Sequence, residues 1–514
     1  MKKSRIVNVT YNFTFGILRQ ILKLVCNFGV RTVFIYFLGK EYLGIDGLFL
    51  SIISVLNLAE LGIESGIIYC LYRPIAENDI YKIQAYMKYY KKAYMCIGCI
   101  IAMVGLCLVP YLPFLMKGVD DIVNVKFIYL LYLGQTVVSY IFFAYRSALF
   151  TASQKKSILH IIQSITIVGV SVFQILDLIF LKSFVGYIML GLGGNIFNNI
   201  LVAIASERFY PEIWKKNDSR LTQEERCDLK KKICGLAMYK FSGTVLSSTD
   251  NLIISGFIGT SELGLYTNYT LLFQYIQAIP ALLFDSLTAS IGNINVVENK
   301  EKKLLIFKKL NFLNFWIYGF SGIEMLCITN YFIEEIWIGK DYLLNNSVVI
   351  FLFLNYITAG LQQTVIAHKD ACGLFWEGRW RPVFSGVLNL VISILLVRPF
   401  GIEGVIVGTI ISRFLTTWWF DPWLIYKYVF EEKPYNYYVT YVKRLIYICL
   451  IAVLTLSCTT CIKFTGWIGL LIRLAICTVL PNACFWLLFR KTDEYEYLKE
   501  VFINLIFKII RRKK

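Results

Sequence analysis

Apolar runs of about 20 residues recur along the whole chain, and a run of that length is what one helix needs to cross a hydrocarbon layer about 30 Å thick. Lipid offers no partner to an open backbone N–H or C=O, so each run reads as a helix that satisfies itself. About fourteen are found, over residues 13–37, 43–70, 93–115, 122–145, 157–181, 184–206, 234–258, 263–290, 305–329, 345–367, 382–400, 402–426, 445–463 and 466–489. Fourteen spans use roughly 290 residues, and the chain has 514. Composition agrees: 57% of residues are hydrophobic and 17% charged, against about 25% charged in soluble domains. The expected fold class is all-α, a polytopic membrane protein. A soluble enzyme, a disordered chain and a collagen-like chain are excluded. Gly, Asn and Ser inside several runs suit helices packed around a polar cavity.

The charge, formally +18, is distributed by loop. Lys and Arg fill every second connection, about 39 against about 7 in the alternate set. The rich set includes Lys82, Lys88, Lys91, Lys92, Arg146, Lys369, Arg381 and Arg444. By the positive-inside rule those connections and both termini are cytoplasmic, which requires an even number of spans. The basic excess is then a topogenic signal facing anionic lipid, and no nucleic-acid partner is expected. The outward connections, such as 38–43 and 259–263, leave no room for an outer catalytic domain. No GxxxxGK[ST] run is present, so no ATP motor is expected in this chain. The basic start, Met1–Arg5, is followed by a run carrying Arg19, Lys23 and Arg31 without a small-residue cleavage site, so no cleavable signal peptide is read there.

An internal repeat organises the spans. Phe37-Leu38-Gly39-Lys40-Glu41-Tyr42-Leu43-Gly44 returns as Phe257-Ile258-Gly259-Thr260-Ser261-Glu262-Leu263-Gly264, each copy joining the first two helices of a six-helix block. Six is even, so the blocks enter the membrane in the same sense, as a parallel repeat about an axis along the bilayer normal. The expected organisation is a lobe over 1–206, a connecting loop over 207–233, a second lobe over 234–427, an appended helix pair over 428–490 and a tail over 491–514. In the tail, Leu498, Val501, Phe502, Leu505, Ile506 and Ile509 recur at helical spacing beside Lys499, Lys508, Arg511 and Arg512, as in a basic amphipathic helix lying on the inner face.

Charges inside the spans are the candidate functional groups, because each costs roughly 2.5–3.5 kcal/mol at the bilayer centre unless it faces a cavity or a partner. Asn8, Asn12, Gly16, Arg19, Lys23, Asn27 and Arg31 follow spacings of three and four and trace one polar stripe on the first helix. Lys240 falls beside the counterpart of Arg19 in the second block. Arg19, Lys23, Arg31, Lys240 and Arg413 are the candidate substrate-binding cations; the competing reading has them snorkelling to headgroups. Arg473, in the appended pair, is read as an anchor. Of the acids, Glu60 and Glu64 stand one helical turn apart and are expected to share a face. Asp250 lies in the polar sequence Ser248-Thr249-Asp250-Asn251. These three are the candidate ion-coupling residues, with static ion pairing as the alternative. Asp46 and Asp421, near span ends, are expected to be solvated. The fourteen cysteines lie mostly in apolar runs, and the two CxxC spacings, Cys96–Cys99 and Cys458–Cys461, lack a nearby histidine. His160 and His368 are far apart, so no metal site and no cofactor are expected.

Glu60-Leu61-Gly62-Ile63, Ser248–Asn251, Leu263-Gly264-Leu265-Tyr266, Ala289-Ser290-Ile291-Gly292-Asn293, Trp337-Ile338-Gly339, Gly373-Leu374-Phe375-Trp376 with Arg379 and Arg381-Pro382, and Gly401-Ile402-Glu403-Gly404-Val405 occur in an order that resembles the bacterial polysaccharide-transport flippases of the multidrug/oligosaccharidyl-lipid/polysaccharide exporter superfamily. The resemblance covers about residues 5–430. It implies two six-helix lobes, usually with two added helices, and translocation of undecaprenyl-diphosphate-linked oligosaccharide from the inner to the outer leaflet of a bacterial cytoplasmic membrane. Membrane lipids, a polysaccharide polymerase and glycosyltransferases of the same pathway are the partners it implies. A drug or organic-cation exporter of the same superfamily is the alternative, and it calls for an acidic cavity. A membrane polymerase or glycosyltransferase calls for an outer loop and an acid cluster that the sequence lacks.

Overall fold

The computed structural model describes residues 2–60, 62–117, 124–215, 219–227, 229–230, 233, 248–374 and 377–500. All regular structure among them is helical, and the chain divides into two compact units, Met1–Gly264 and Leu265–Lys514. The first contains α1 (Lys2–Leu56), α2 (Ile63–Glu77), α3 (Ile80–Leu108), the short α4 (Leu112–Leu115), α5 (Val125–Ile141), α6 (Ser147–Ala152), α7 (Lys156–Phe180) and α8 (Phe184–Phe209). Helix α9 (Thr260–Val297) begins in the first unit and continues into the second. There follow α10 (Lys300–Tyr331), α11 (Asn346–Gly360), α12 (Gln363–Ala371), α13 (Arg381–Leu415), α14 (Thr417–Ile425), α15 (Tyr435–Thr460) and α16 (Gly466–Phe489).

Among the described residues nine segments are long and apolar enough to cross a membrane, or ten if α5 and the bent stretch after it count as one span. Two of the nine are double. Thr14–Leu56 breaks at Gly39 (φ 81°) and Arg381–Phe430 at Gly401 (φ 60°). Only glycine takes such left-handed angles at little cost, so each marks the meeting of two helices. These breaks fall between the first and second, and the eleventh and twelfth, expected runs. The expected seventh span, 234–258, lies largely outside the described residues, and Lys240 with it; so do tail residues Val501 onward.

Helix ends differ from the hydropathy reading. Helix α3 begins at Ile80, capped by Asp79, whose carboxylate accepts from the Lys82 N–H at 3.0 Å. Lys82, Lys88, Lys91 and Lys92 therefore ride on its early turns and not on a loop. An apolar window registers only the hydrocarbon-depth part of a helix, whereas i→i−4 bonding carries on until a cap ends it. The expected second span, 43–70, is interrupted: α1 stops at Leu56, a tight turn covers Asn57–Glu60, and Gly62 (φ 81°) starts α2.

In the first unit α1 packs on α7, α7 on α8, and α3 on α5. The repeat's two copies also touch. A Cβ on Gly44 would stand 1.8 Å from the Thr260 carbonyl oxygen, and one on Gly264 would stand 2.4 Å from that of Lys40. Lys40 and Thr260 are themselves equivalent in the repeat, so the contact is reciprocal and backbone to backbone. In the second unit α10 is central, with α11, α15 and α16 against it. Trp316 donates to Asn482 at 2.7 Å and Phe315 meets Phe485 with ring centroids 5.1 Å apart, which docks the last helix, α16, on α10.

Candidate functional site

The polar stripe of α1 separates into three parts with different work. At its start, Asn12 bridges to the beginning of α7: its Oδ1 accepts from the Ser157 N–H at 2.6 Å and its Nδ2 donates to the Gln154 carbonyl at 2.8 Å. One side chain thus caps one helix and ties it to another. Further along, Arg31 lies 3.7 Å from the Asp46 carboxylate, which also accepts from the Tyr132 hydroxyl. Asp46, expected to be solvated, is 6% exposed. The kink at Gly39 brings the two halves of α1 back against one another, so a residue that hydropathy places at a span end acquires a buried cationic partner.

Between these two ties sit Arg19 and Lys23. Arg19 is half-buried and its Nε is enclosed with no hydrogen-bond partner among the described residues. Lys23 is exposed one turn further on. Neither forms an ion pair among the described residues. Across from them on α7, His160 lies against Gly16, where a Cβ would stand 3.5 Å from the imidazole Nε2. Its Nδ1 is likewise enclosed without a partner. This part of the first unit therefore gathers positive groups and no described counter-charge.

The acids behave differently. Glu60 accepts hydrogen bonds from Tyr94 and, at 2.5 Å, from Tyr140; Tyr94 in turn accepts from Tyr90 at 2.8 Å. The Tyr140 hydroxyl also lies 3.1 Å from Asn57 Oδ1. Glu60 and Glu64 do not share one helix face, because the left-handed Gly62 separates the turn carrying Glu60 from the first turn of α2, where Glu64 lies. Asp250 is 7% exposed; beside it Asn251 donates to Ser51 at 2.9 Å, whose own hydroxyl donates to the Gly47 carbonyl. The tyrosine partners had a legible signal: Tyr86, Tyr90 and Tyr94 recur at intervals of four and mark one face of α3.

In the second unit Arg413 donates from Nη1 to Asn355 Oδ1 at 2.9 Å, to the Asn355 carbonyl at 3.1 Å and to Thr358 at 3.0 Å, which clamps α13 to α11. Asp421, also expected to be solvated, is 1% exposed. Its carboxylate meets Lys369 at 3.1 Å and Arg381 at 3.3 Å, and Arg381 donates to Thr417 at 2.9 Å. Lys369 and Arg381 were counted among loop cations, as were Arg146 and Arg444. Arg146 is 8% exposed, bonded to Glu207 at 2.7 Å and seated 4.3 Å over Trp214. Arg444 donates to Asn311 at 3.1 Å and lies over Phe315. Loop charge counts do not separate cations that stay in water from those that fold back into the helix ends. Arg473 donates to the carbonyls of Ile462, Phe464 and Gly469 and stacks over Tyr331, binding the α15–α16 turn.

Solved structures share this arrangement. An inward-facing multidrug-resistance MATE family transporter of the MOP superfamily aligns with TM-score 0.63 at 13% identity, over 80% of this chain and 95% of that one. The lipid II flippase MurJ, in an inward closed conformation, gives TM-score 0.63 at 15% identity over 93% and 98%. This chain shares its fold with these two transporters. A MOP superfamily transporter from Pyrococcus furiosus, described as having a binding pocket of reverse polarity, gives TM-score 0.54 at 14% identity over 80% of this chain and 93% of that one. No family model and no curated protein matches the chain. The likeness is thus one of fold, at 13–15% identity.

Proposed function

We propose that the protein is a flippase that carries an undecaprenyl-diphosphate-linked oligosaccharide, a repeat unit of a bacterial surface polysaccharide, from the inner to the outer leaflet by alternating access. The observation that carries this reading is the basic group at Arg19 and Lys23, which has no counter-charge among the described residues. Charges held in a partly buried place without an acid are costly, and a diphosphate is the partner that would compensate them. Arginine offers a planar fork to phosphate oxygens and lysine a point charge. The likeness to a lipid II flippase supports a lipid-linked cargo, since that protein's name states one.

In this reading Lys240 adds a cation from the second lobe and Arg31 is released from Asp46 for part of the cycle, while Arg413 holds α13. Glu60, Glu64 and Asp250 respond to protons or sodium. The lobes are 1–206 and 234–427, with the pair 428–490 appended, and both termini face the cytoplasm of a bacterial inner membrane. A polymerase and glycosyltransferases supply and consume the cargo. Organic-cation export, the second reading, draws on the MATE likeness and on Glu60, a carboxylate held by two phenols.

The test is a cell lacking its own flippase for such a cargo. The wild-type chain should restore glycan outside, and Arg19→Ala at equal abundance should leave lipid-linked glycan accumulated inside. Full restoration by Arg19→Ala, with no accumulation, would remove the basis of the proposal.

A further inference from the structure

We infer that His160 is a substrate-contacting residue of the same anion site, so that one unit, through α1 and α7, presents a three-group cradle of Arg19, Lys23 and His160 to the phosphate-bearing part of the cargo. The inference rests on the anion-carrier reading above and assigns to it a residue that the polar stripe of α1 does not contain. Four observations carry it. His160 lies directly against Gly16 of α1, where a Cβ would stand at ordinary van der Waals contact, 3.5 Å, from Nε2, so a larger side chain at 16 would displace the ring. Gly16, Arg19 and Lys23 stand at intervals of three and four on one face, so the ring sits about 5 Å along the axis from Arg19 and Lys23 about 6 Å beyond it. Both His160 Nδ1 and Arg19 Nε are enclosed and unpaired among the described residues. Finally, Lys156, one turn before His160 on α7, adds a further positive group without an ion pair among the described residues, and Arg19 and Lys156 are the charged groups that bear on the imidazole.

The enclosed nitrogens of Arg19 and His160 have no partner among the described residues. Apolar residues at 160 and 19 would pack α1 on α7 without leaving buried polar groups unsatisfied, which is costly. An oxyanion between the two helices satisfies both at once. At the start of α7 the Ser157 N–H is already taken by Asn12 and the Ile158 N–H by the Lys155 carbonyl. The chemical class is therefore a phosphate or diphosphate ester recognised by side chains, with imidazole and guanidinium on either side and the Lys23 ammonium at the next turn.

The experiment measures binding of inorganic pyrophosphate and, separately, of farnesyl diphosphate to the purified full-length chain in nanodiscs. The first probe reports the phosphate contact and the second a lipid-borne diphosphate. Removing one donor to a charged ligand typically costs about tenfold or more in affinity. His160→Leu should weaken both probes about tenfold. His160→Arg, which keeps an N–H donor at this place and adds charge, should stay within about threefold of wild type. Gly16→Leu should reproduce the His160→Leu loss by displacing the ring, whereas Gly16→Ala, at contact distance only, should not. Arg73→Ala, at an exposed pair with Glu77, is the control expected to bind normally. Should His160→Leu fail to fold, His160→Gln reads the same contact, with a loss of about threefold expected for a neutral donor in place of imidazole. Unchanged affinity in His160→Leu or His160→Gln, with Arg19→Ala weakened, overturns the role of His160 and leaves the carrier reading standing. No binding of either probe by the wild-type chain overturns the carrier reading itself. Binding of pyrophosphate without farnesyl diphosphate would assign the cradle to a soluble phosphate anion and overturn a lipid-borne one.

Discussion

Replacing Asp421 by asparagine should be among the most destabilising single changes in the second unit. The carboxylate is 1% exposed and is shared by Lys369, whose side chain is 3% exposed, and Arg381, at 13%. Asparagine keeps the volume and removes the charge, so Lys369 is left buried beside a neutral amide. Breaking a buried pair from one side costs about 3–5 kcal/mol, because the remaining ion stays out of water and loses the opposite charge that compensated it. Arg381 is less affected, being nearer the surface and bonded to Thr417. At about 2–4 °C per kcal/mol for a unit of this size, Asp421→Asn should melt roughly 6–20 °C lower. The assay is tryptophan fluorescence on the detergent-purified protein at fixed heating rate, with half-lives at one temperature as a second reading, since unfolding of such proteins is often irreversible. The matched control is Glu431→Gln, whose bridge to Lys300 is 60% exposed on the acid side; a surface pair contributes about 0–1 kcal/mol. The double change Asp421→Leu with Lys369→Met should recover much of the loss, because it removes both buried charges. Asp421→Asn melting with Glu431→Gln, close to wild type, would refute the reasoning.

Glu60→Gln should leave the protein folded and abolish the dependence of transport on an imposed ion gradient, because the amide cannot gain or lose a proton between Tyr94 and Tyr140; an unchanged gradient response in reconstituted vesicles would remove Glu60 from coupling. Gly264→Val should lower stability by about 1–3 kcal/mol by overpacking against the Lys40 carbonyl, whereas Gly134→Ala, with open space around it, should not destabilise; thermal melts of the two compare them. Arg473→Ala frees three carbonyls of the α15–α16 turn, so it should lower the melting temperature and leave diphosphate affinity at the wild-type value.

The helical plan was legible because it rests on two coarse quantities, the length of an apolar run and the sign of the charge between runs. Gly39 and Gly401 fell where those runs meet, and their left-handed angles account for the breaks. Interior detail was legible only where it is local. The stripe of α1 follows from spacing, and Tyr90 and Tyr94 sit on one face for the same reason. Partnerships across the chain were not legible. Nothing in the sequence joins Lys369 to Asp421, 52 positions away, or His160 to Gly16. The separation of Glu60 from Glu64 turns on one left-handed glycine, which helical periodicity cannot anticipate. Charge counting also misplaced Arg146 and Arg444, because a cation at a helix end can face water or fold back onto an aromatic ring.

The central claim is that the Arg19 and Lys23 group receives a lipid-borne diphosphate and moves it across the bilayer. Its most direct test is translocation of an undecaprenyl-diphosphate-linked oligosaccharide in vesicles containing only this protein, read as the fraction of glycan accessible to an enzyme added on one side. The account predicts that wild-type protein equilibrates the glycan between leaflets, that Arg19→Ala with Lys23→Ala does not, and that both proteins are present in equal amount. Equal translocation by the two proteins would contradict it, as would export of an organic cation by the wild-type chain with no movement of the glycan.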